Sequence, residues 1–212
     1  MSTQSRGPND ERTDGLELDD TMLQEIVTFY CSQIVIPDKK SVRVFLLCPI
    51  GKVGAGKTTV LKPLANKLGL VRVSSDEIRM LLLKRGYNFV RTREIAFQLI
   101  CEFLQKGYGV AVDADCAGEP SGSVLKKTAE RYQAPLVWIH INPPEEFIVN
   151  KLKNIDYTWG FFKDANDALA SYERRKPLHK ELDYPFVYVF DTSRNDLEKQ
   201  IEEAVIRITS QT

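Results

Sequence analysis

Gly51-Lys52-Val53-Gly54-Ala55-Gly56-Lys57-Thr58 fits the pattern G-x-x-x-x-G-K-[ST] without a mismatch. Each residue type has a chemical reason. Glycines at 51, 54 and 56 allow positive φ and bring backbone N–H groups against a phosphate. A helix starting near Lys57 adds the partial positive charge of its N-terminus. Lys57 can reach the β- and γ-phosphates of a nucleotide, and the Thr58 hydroxyl can ligate Mg²⁺. The nucleotide contacts expected from the loop are those of Gly51, Val53, Gly54, Ala55, Gly56, Lys57, Thr58 and Thr59. The motif predicts nucleotide binding, and it does not by itself separate a kinase from an ATPase or a GTPase.

Two acidic positions follow. In Val73-Ser74-Ser75-Asp76-Glu77-Ile78-Arg79 an aspartate closes a short apolar run and an arginine lies three residues later, on the same helical face. Asp76 can accept the proton of an attacking hydroxyl, and Arg79 can hold an acceptor or balance the carboxylate. The competing reading is that Ser75 or Asp76 caps the next helix. Asp113 ends Gly109-Val110-Ala111-Val112-Asp113, the Walker B position, where a carboxylate holds Mg²⁺ or its water shell. Asp115 follows two residues on.

Positioning such groups requires strands that deliver them to one sheet edge. Short apolar runs at 42–48, 70–73, 109–113, 136–141 and 186–190 read as strands. They alternate with helical stretches at 57–68, 76–85, 92–106, 124–133, 144–153, 167–176 and 194–209. The pattern predicts an α/β three-layer sandwich with a mostly parallel five-stranded sheet and helices on both faces. Residues 1–20 read as a disordered acidic tail and 21–36 as an N-terminal helix capped by Thr21. Residues 37–212 form the domain, with a lid region at about 150–176.

Composition excludes several classes. The 212 residues hold 29 Lys+Arg and 29 Asp+Glu, a formal net charge of zero, and no apolar run approaches the length of a membrane span. The acidic N-terminus has no secretory or transit pattern, and four widely spaced cysteines (Cys31, Cys48, Cys101, Cys116) read as reduced thiols, so a cytoplasmic setting is expected. The zero hides an asymmetry. Residues 1–36 carry two basic and seven acidic residues, a net of −5, and the remaining 27 and 22 leave the body at +5. That balance suits anion binding. A nucleic-acid partner is possible but not indicated, since no helix-turn-helix, RRM, zinc or OB signature is present.

The loop, the Ser74-Ser75-Asp76-Glu77-Ile78-Arg79 element and the Val112-Asp113-Ala114-Asp115 strand end resemble the small P-loop kinases of the polynucleotide kinase and zeta-toxin type, among the AAA-family ATP-binding kinases. The resemblance spans about 42–195. It implies ATP and Mg²⁺ as cofactors, Asp76 as the general base, Arg79 as an acceptor-binding residue, and Asp113 as support for that arginine or for the metal, beside Thr58. It implies transfer of the γ-phosphate to a hydroxyl on a small molecule, a nucleotide sugar or a nucleic-acid 5′ end. Two departures stand out. Asp115 adds a carboxylate that can meet a cationic substrate group or a metal. The lid stretch Asn150-Lys151-Leu152-Lys153 has no arginine, so Lys151 and Lys153, or Arg174 and Arg175 downstream, must supply the charge. Without it, the alternative is an ATPase or nucleotide switch lacking an acceptor. His140 is expected in the core and His179 on a surface loop. Tyr157, Trp159, Phe161 and Phe162 either pack the lid or stack on an acceptor ring, and Asp191-Thr192-Ser193 is placed near the adenine.

Overall fold

β1 (Leu46–Ile50) is buried at every position and lies at the middle of the sheet. With β2 (Val71–Ser74), β3 (Val110–Asp113), β4 (Leu136–Ile141) and β5 (Phe186–Phe190) it forms one all-parallel sheet in the order β2-β3-β1-β4-β5. The structure, a computed structural model, describes residues 15–118, 121–157 and 162–212. Trp159 and Phe161, expected among the lid aromatics, and tail residues 1–14 lie outside the described residues.

Successive strand residues face opposite layers. Leu46, Cys48 and Ile50 enter a core closed by α1 (Asp20–Gln33), α3 (Ser75–Lys84), α4 (Thr92–Gln105) and α5 (Ser121–Tyr132). Phe45 and Leu47 enter the other core, closed by α2 (Lys57–Leu68), α6 (Glu145–Asn154), α7 (Ala165–Arg175) and α8 (Leu197–Gln211). This is the three-layer α/β architecture the patterning predicts, with every strand pair parallel.

Element boundaries differ from the sequence expectation by a few residues, β1 most of all. The expected strand began at Val42, which is 96% exposed; pairing starts at Leu46 and continues through Pro49, opposite Ile139 of β4. Pairing with β3 ends at Leu47, so the proline's missing N–H interrupts no bond of that ladder.

The N-terminal segment differs more. Asp19, not Thr21, caps α1, accepting from the Met22 N–H at 2.8 Å. Residues 15–20, expected within the disordered tail, are placed against the body: Leu16 bridges Tyr87, and Leu18 is buried. α1 itself sinks Leu23, Ile26, Val27 and Tyr30 into the core, against α4 and α3. The helix is a structural layer of the domain, because an apolar stripe of that width must be covered.

Candidate functional site

The loop after β1 turns into α2 through Gly54 (φ 80°) and Gly56 (φ 94°), both left-handed. Gly51 is required for space instead: a Cβ there would stand 2.8 Å from the Ile141 carbonyl oxygen. Gly56 is the N-cap of α2 and offers no side-chain acceptor, so the first-turn N–H groups face the loop interior unblocked. Lys57 Nζ donates to the carbonyls of Gly51 at 2.6 Å and Lys52 at 3.0 Å, which holds it across the loop. Burial pushes its ammonium below the ordinary lysine range, while Asp115 pulls it back up. Thr192 after β5 donates to the Ala55 carbonyl at 2.7 Å and ties the 191–193 loop to the phosphate loop. Thr59, expected among the nucleotide contacts, is exposed on the outer side of α2.

At the end of β2, Ser74 caps α3, its hydroxyl accepting from the Glu77 N–H, so neither Ser75 nor Asp76 is the cap. That frees the Asp76 carboxylate, which accepts from Arg79 NH1 at 2.8 Å across one helical turn. Asp113 does not support Arg79. Its Oδ2 accepts from Arg72 NH1 at 2.5 Å and its Oδ1 from the Thr58 hydroxyl at 3.0 Å. Arg72 also pairs with Glu77, and Glu77 Oε2 accepts from the Tyr30 hydroxyl of α1 at 3.1 Å. Burial pushes the Asp113 carboxyl above the usual range; Arg72, by charge and by hydrogen bond, and Thr58 draw it back.

Asp115 moves the other way. Burial alone would raise it, but the hydrogen bond to His179, the Lys57 charge and the charges of His179 and Arg175 bring it down to about 2. His179 Nε2 lies 3.0 Å from Oδ2, and Arg175 NH2 donates to the same oxygen at 3.1 Å. Asp115 is thus committed to two side chains at the end of the lid, not open to a cationic substrate. His179, expected on the surface, has a side chain only 1% exposed, with Nδ1 buried and without a hydrogen-bond partner among the described residues. Sequence reasoning missed it because its partner lies 64 residues away. It missed Arg72 for a similar reason, although one charge inside the apolar run Val71-Arg72-Val73 was a signal.

One cavity of about 460 Å³ joins these groups. Lys57 and Thr58, Asp76 and Arg79, Asp113 and Asp115, and Arg174 and Arg175 all line it. Val53 and Gly54 line it as well; Lys151 and Lys153 do not. Lys153 is exposed, whereas Lys151 is partly buried and its ammonium is lowered, first by burial and then by Lys57. Of the four cations expected for the lid, the two arginines of α7 line the cavity, and Lys163 of the same region lines it as well. Tyr157 and Phe162 meet edge to face at the base of the lid. His140 is half-buried and stacks on Phe186.

Among the described residues no group of three or more His, Cys, Asp or Glu side chains can hold a metal, and no helix is long and apolar enough to cross a membrane. Thr58 and Asp113 alone offer one hydroxyl and one carboxylate. That donor set fits Mg²⁺, which keeps most of its shell from phosphate oxygens and water.

The family model of an AAA domain, AAA_33, matches residues 46–154, from the first residue of β1 to the last of α6, more than half of the chain. The chain belongs to this AAA domain family. No curated protein matches it. Among solved structures, this AAA domain is similar to a gluconokinase from Sinorhizobium meliloti 1021 (14% identity, 81% of this chain and 95% of that chain, TM-score 0.54). It is also similar to a sugar kinase from Janibacter sp. HTCC2649 (16% identity, 78% and 94%, TM-score 0.52). A third is the Mycobacterium tuberculosis APS kinase CysC in complex with AMPPNP and APS (13% identity, 78% and 98%, TM-score 0.51). At these identities the likeness establishes the AAA domain's fold, that of the small P-loop kinases.

Proposed function

We propose that this chain is an ATP-dependent phosphotransferase acting on a hydroxyl acceptor. The observation that carries the reading is that Asp76, paired with Arg79 at the end of β2, shares one cavity with Lys57 and Thr58 of the phosphate loop. A hydroxyl seated there lies between a proton acceptor and the γ-phosphate. The bond from γ-phosphorus to the bridging oxygen breaks, a bond from the acceptor oxygen to phosphorus forms, and the acceptor proton passes to Asp76, leaving ADP. Arg79 orients Asp76 and the acceptor. Lys57 and the α7 pair Arg174 and Arg175 offset charge on the transferring group, which is where most of the rate in such reactions originates. Thr58 and Asp113 would hold Mg²⁺, which would neutralise charge on the nucleotide phosphates.

A nucleotide switch without an acceptor was the alternative, resting on a lid poor in arginine. Arg174 and Arg175 at the cavity remove its motive. The kinase-named structures of the same fold support the acceptor reading, as does the AAA domain match. Four free cysteines suit a reducing, cytoplasmic setting.

The test is phosphotransfer from γ-labelled ATP to a panel of hydroxyl compounds. Asp76→Asn should lower transfer about 10²–10⁴-fold with ATP binding retained. Lys57→Ala should abolish nucleotide-dependent activity. Transfer unchanged in Asp76→Asn would remove Asp76 as the base.

A further inference from the structure

One wall of the cavity that Asp76 lines is a stripe along α4. Arg93, Ala96, Phe97 and Ile100 recur at helical spacing and all line the cavity. Leu125 of α5 and Cys116 line it as well, both 1% exposed. Burial pushes the Cys116 thiol well up, so it stays neutral and behaves as a small apolar surface. The nearest neutral donor on α4, the Thr92 hydroxyl, gives its hydrogen to the Phe89 carbonyl at 2.8 Å. At the N-terminal end of the stripe, Arg93 is exposed and is in no ion pair found among the described residues. The other cavity arginine of the acceptor side, Arg79, is held by Asp76.

From this arrangement we infer that the acceptor is a hydroxyl compound with a flat apolar or aromatic body and one anionic group, the ring lying along Ala96, Phe97 and Ile100 and the anion meeting Arg93. The inference rests on the phosphotransferase reading and names its acceptor class. Ser75, Ser121 and Ser171 also line the cavity, but a polyol laid against Ala96, Phe97 and Ile100 sets hydroxyls on hydrocarbon there, and each group left unpaired costs in binding. A ring instead gains apolar contact along the whole stripe. Arg93 offers a planar fork matched to a carboxylate or phosphate.

The experiment measures transfer and equilibrium binding, on the full chain with ATP and Mg²⁺, for three probes. They are 4-(hydroxymethyl)benzoate, benzyl alcohol and gluconate. The expected order in kcat/KM places the benzoate at least tenfold above both others. Arg93→Gln should collapse the benzoate-to-benzyl-alcohol preference, mainly through KM. Phe97→Ser should raise KM for both ring compounds, with circular dichroism confirming a folded variant. Gluconate preferred over both ring compounds, or no binding of the benzoate, overturns the inference. So does an unchanged benzoate preference in Arg93→Gln. Asp76-dependent phosphorylation of gluconate alone sinks the acceptor class and leaves the kinase reading standing. Arg93-dependent binding of the benzoate without transfer to any probe sinks the kinase reading and leaves the ligand class standing.

Discussion

The Thr58 hydroxyl donates to Asp113 Oδ1 at 3.0 Å, so the last residue of the phosphate-loop signature and the last residue of β3 are in direct contact. The other oxygen of Asp113 is held by Arg72 at 2.5 Å. The carboxylate is thereby aimed at the hydroxyl from one fixed side, the preorganisation a metal-assisted phosphate site needs.

Asp113→Asn should separate the two roles of that carboxylate. The side chain is 3% exposed and Arg72 17% exposed, so removing the charge leaves a largely buried guanidinium with Glu77 as its remaining carboxylate. Because that second partner survives, the loss of stability should be about 2 kcal/mol, below the 3–5 typical of a fully broken buried pair. Phosphotransfer should fall, and the Mg²⁺ concentration for half-maximal activity should rise. Thermal unfolding and a Mg²⁺ titration check the two parts; an unchanged titration midpoint counts against Asp113 as a metal-holding group.

The same network reaches α1. Tyr30 donates to Glu77 Oε2 at 3.1 Å, is 3.3 Å from the Ser74 carbonyl, and accepts from the Ser74 N–H at 3.3 Å. Tyr30→Phe keeps the ring in the core and deletes only these bonds. The expected loss is about 1 kcal/mol, rising toward 2 because the Ser74 N–H is left unpaired in a buried place. Since Glu77 is the second carboxylate on Arg72, the variant should also raise the Mg²⁺ requirement slightly. A stability loss with no such change would confine Tyr30 to packing.

What the sequence made legible follows from distance along the chain. Asp76 and Arg79 are three residues apart on a helix, and their pairing is readable from spacing alone. The phosphate loop is contiguous, and its strand-to-helix context follows from the apolar run before it. Arg72 with Asp113, Asp115 with His179, and Tyr30 with Glu77 join different elements, and nothing local encodes those contacts. Local pattern also set the start of β1 at Val42, whereas pairing begins at Leu46. The acidic charge of residues 1–36 suggested a leader outside the fold; the apolar stripe Leu23, Ile26, Val27 and Tyr30 was the better guide.

Asp115 and Asp113, two residues apart, are pushed in opposite directions, and the acid stability of the protein should report the lower one. Asp115 titrates at about 2 when folded against an ordinary value of 3.8. The unfolded chain binds the proton more readily, so the stabilisation is complete above about pH 4 and is lost as pH falls toward 2. A shift of that size in a buried group corresponds to about 2–3 kcal/mol. Asp115→Asn should lower the urea midpoint at pH 7 and flatten its dependence on pH between about 4 and 2. An equally steep acid limb in the variant would show that other carboxylates carry it.

Gly54→Ala and Gly86→Ala form a matched pair. Both glycines have positive φ, 80° and 77°, so an alanine at either is strained by a similar amount, about 1 kcal/mol. Their surroundings differ. A Cβ at Gly86 meets nothing within 4 Å, whereas at Gly54 it stands 2.9 Å from Leu152 Cδ2 and 3.2 Å from Ile148 Cγ2, both on α6. The phosphate loop and α6 therefore rest directly on one another through Gly54, and the alanine must push one of them away. Gly86→Ala should cost only the backbone strain and leave affinity for a non-hydrolysable ATP analogue unchanged. Gly54→Ala should weaken that affinity tenfold or more, because a shift of the loop displaces N–H groups from the phosphates they serve. Calorimetric binding and thermal unfolding of both variants measure the difference, and equal effects at the two sites would show that the loop tolerates movement against α6.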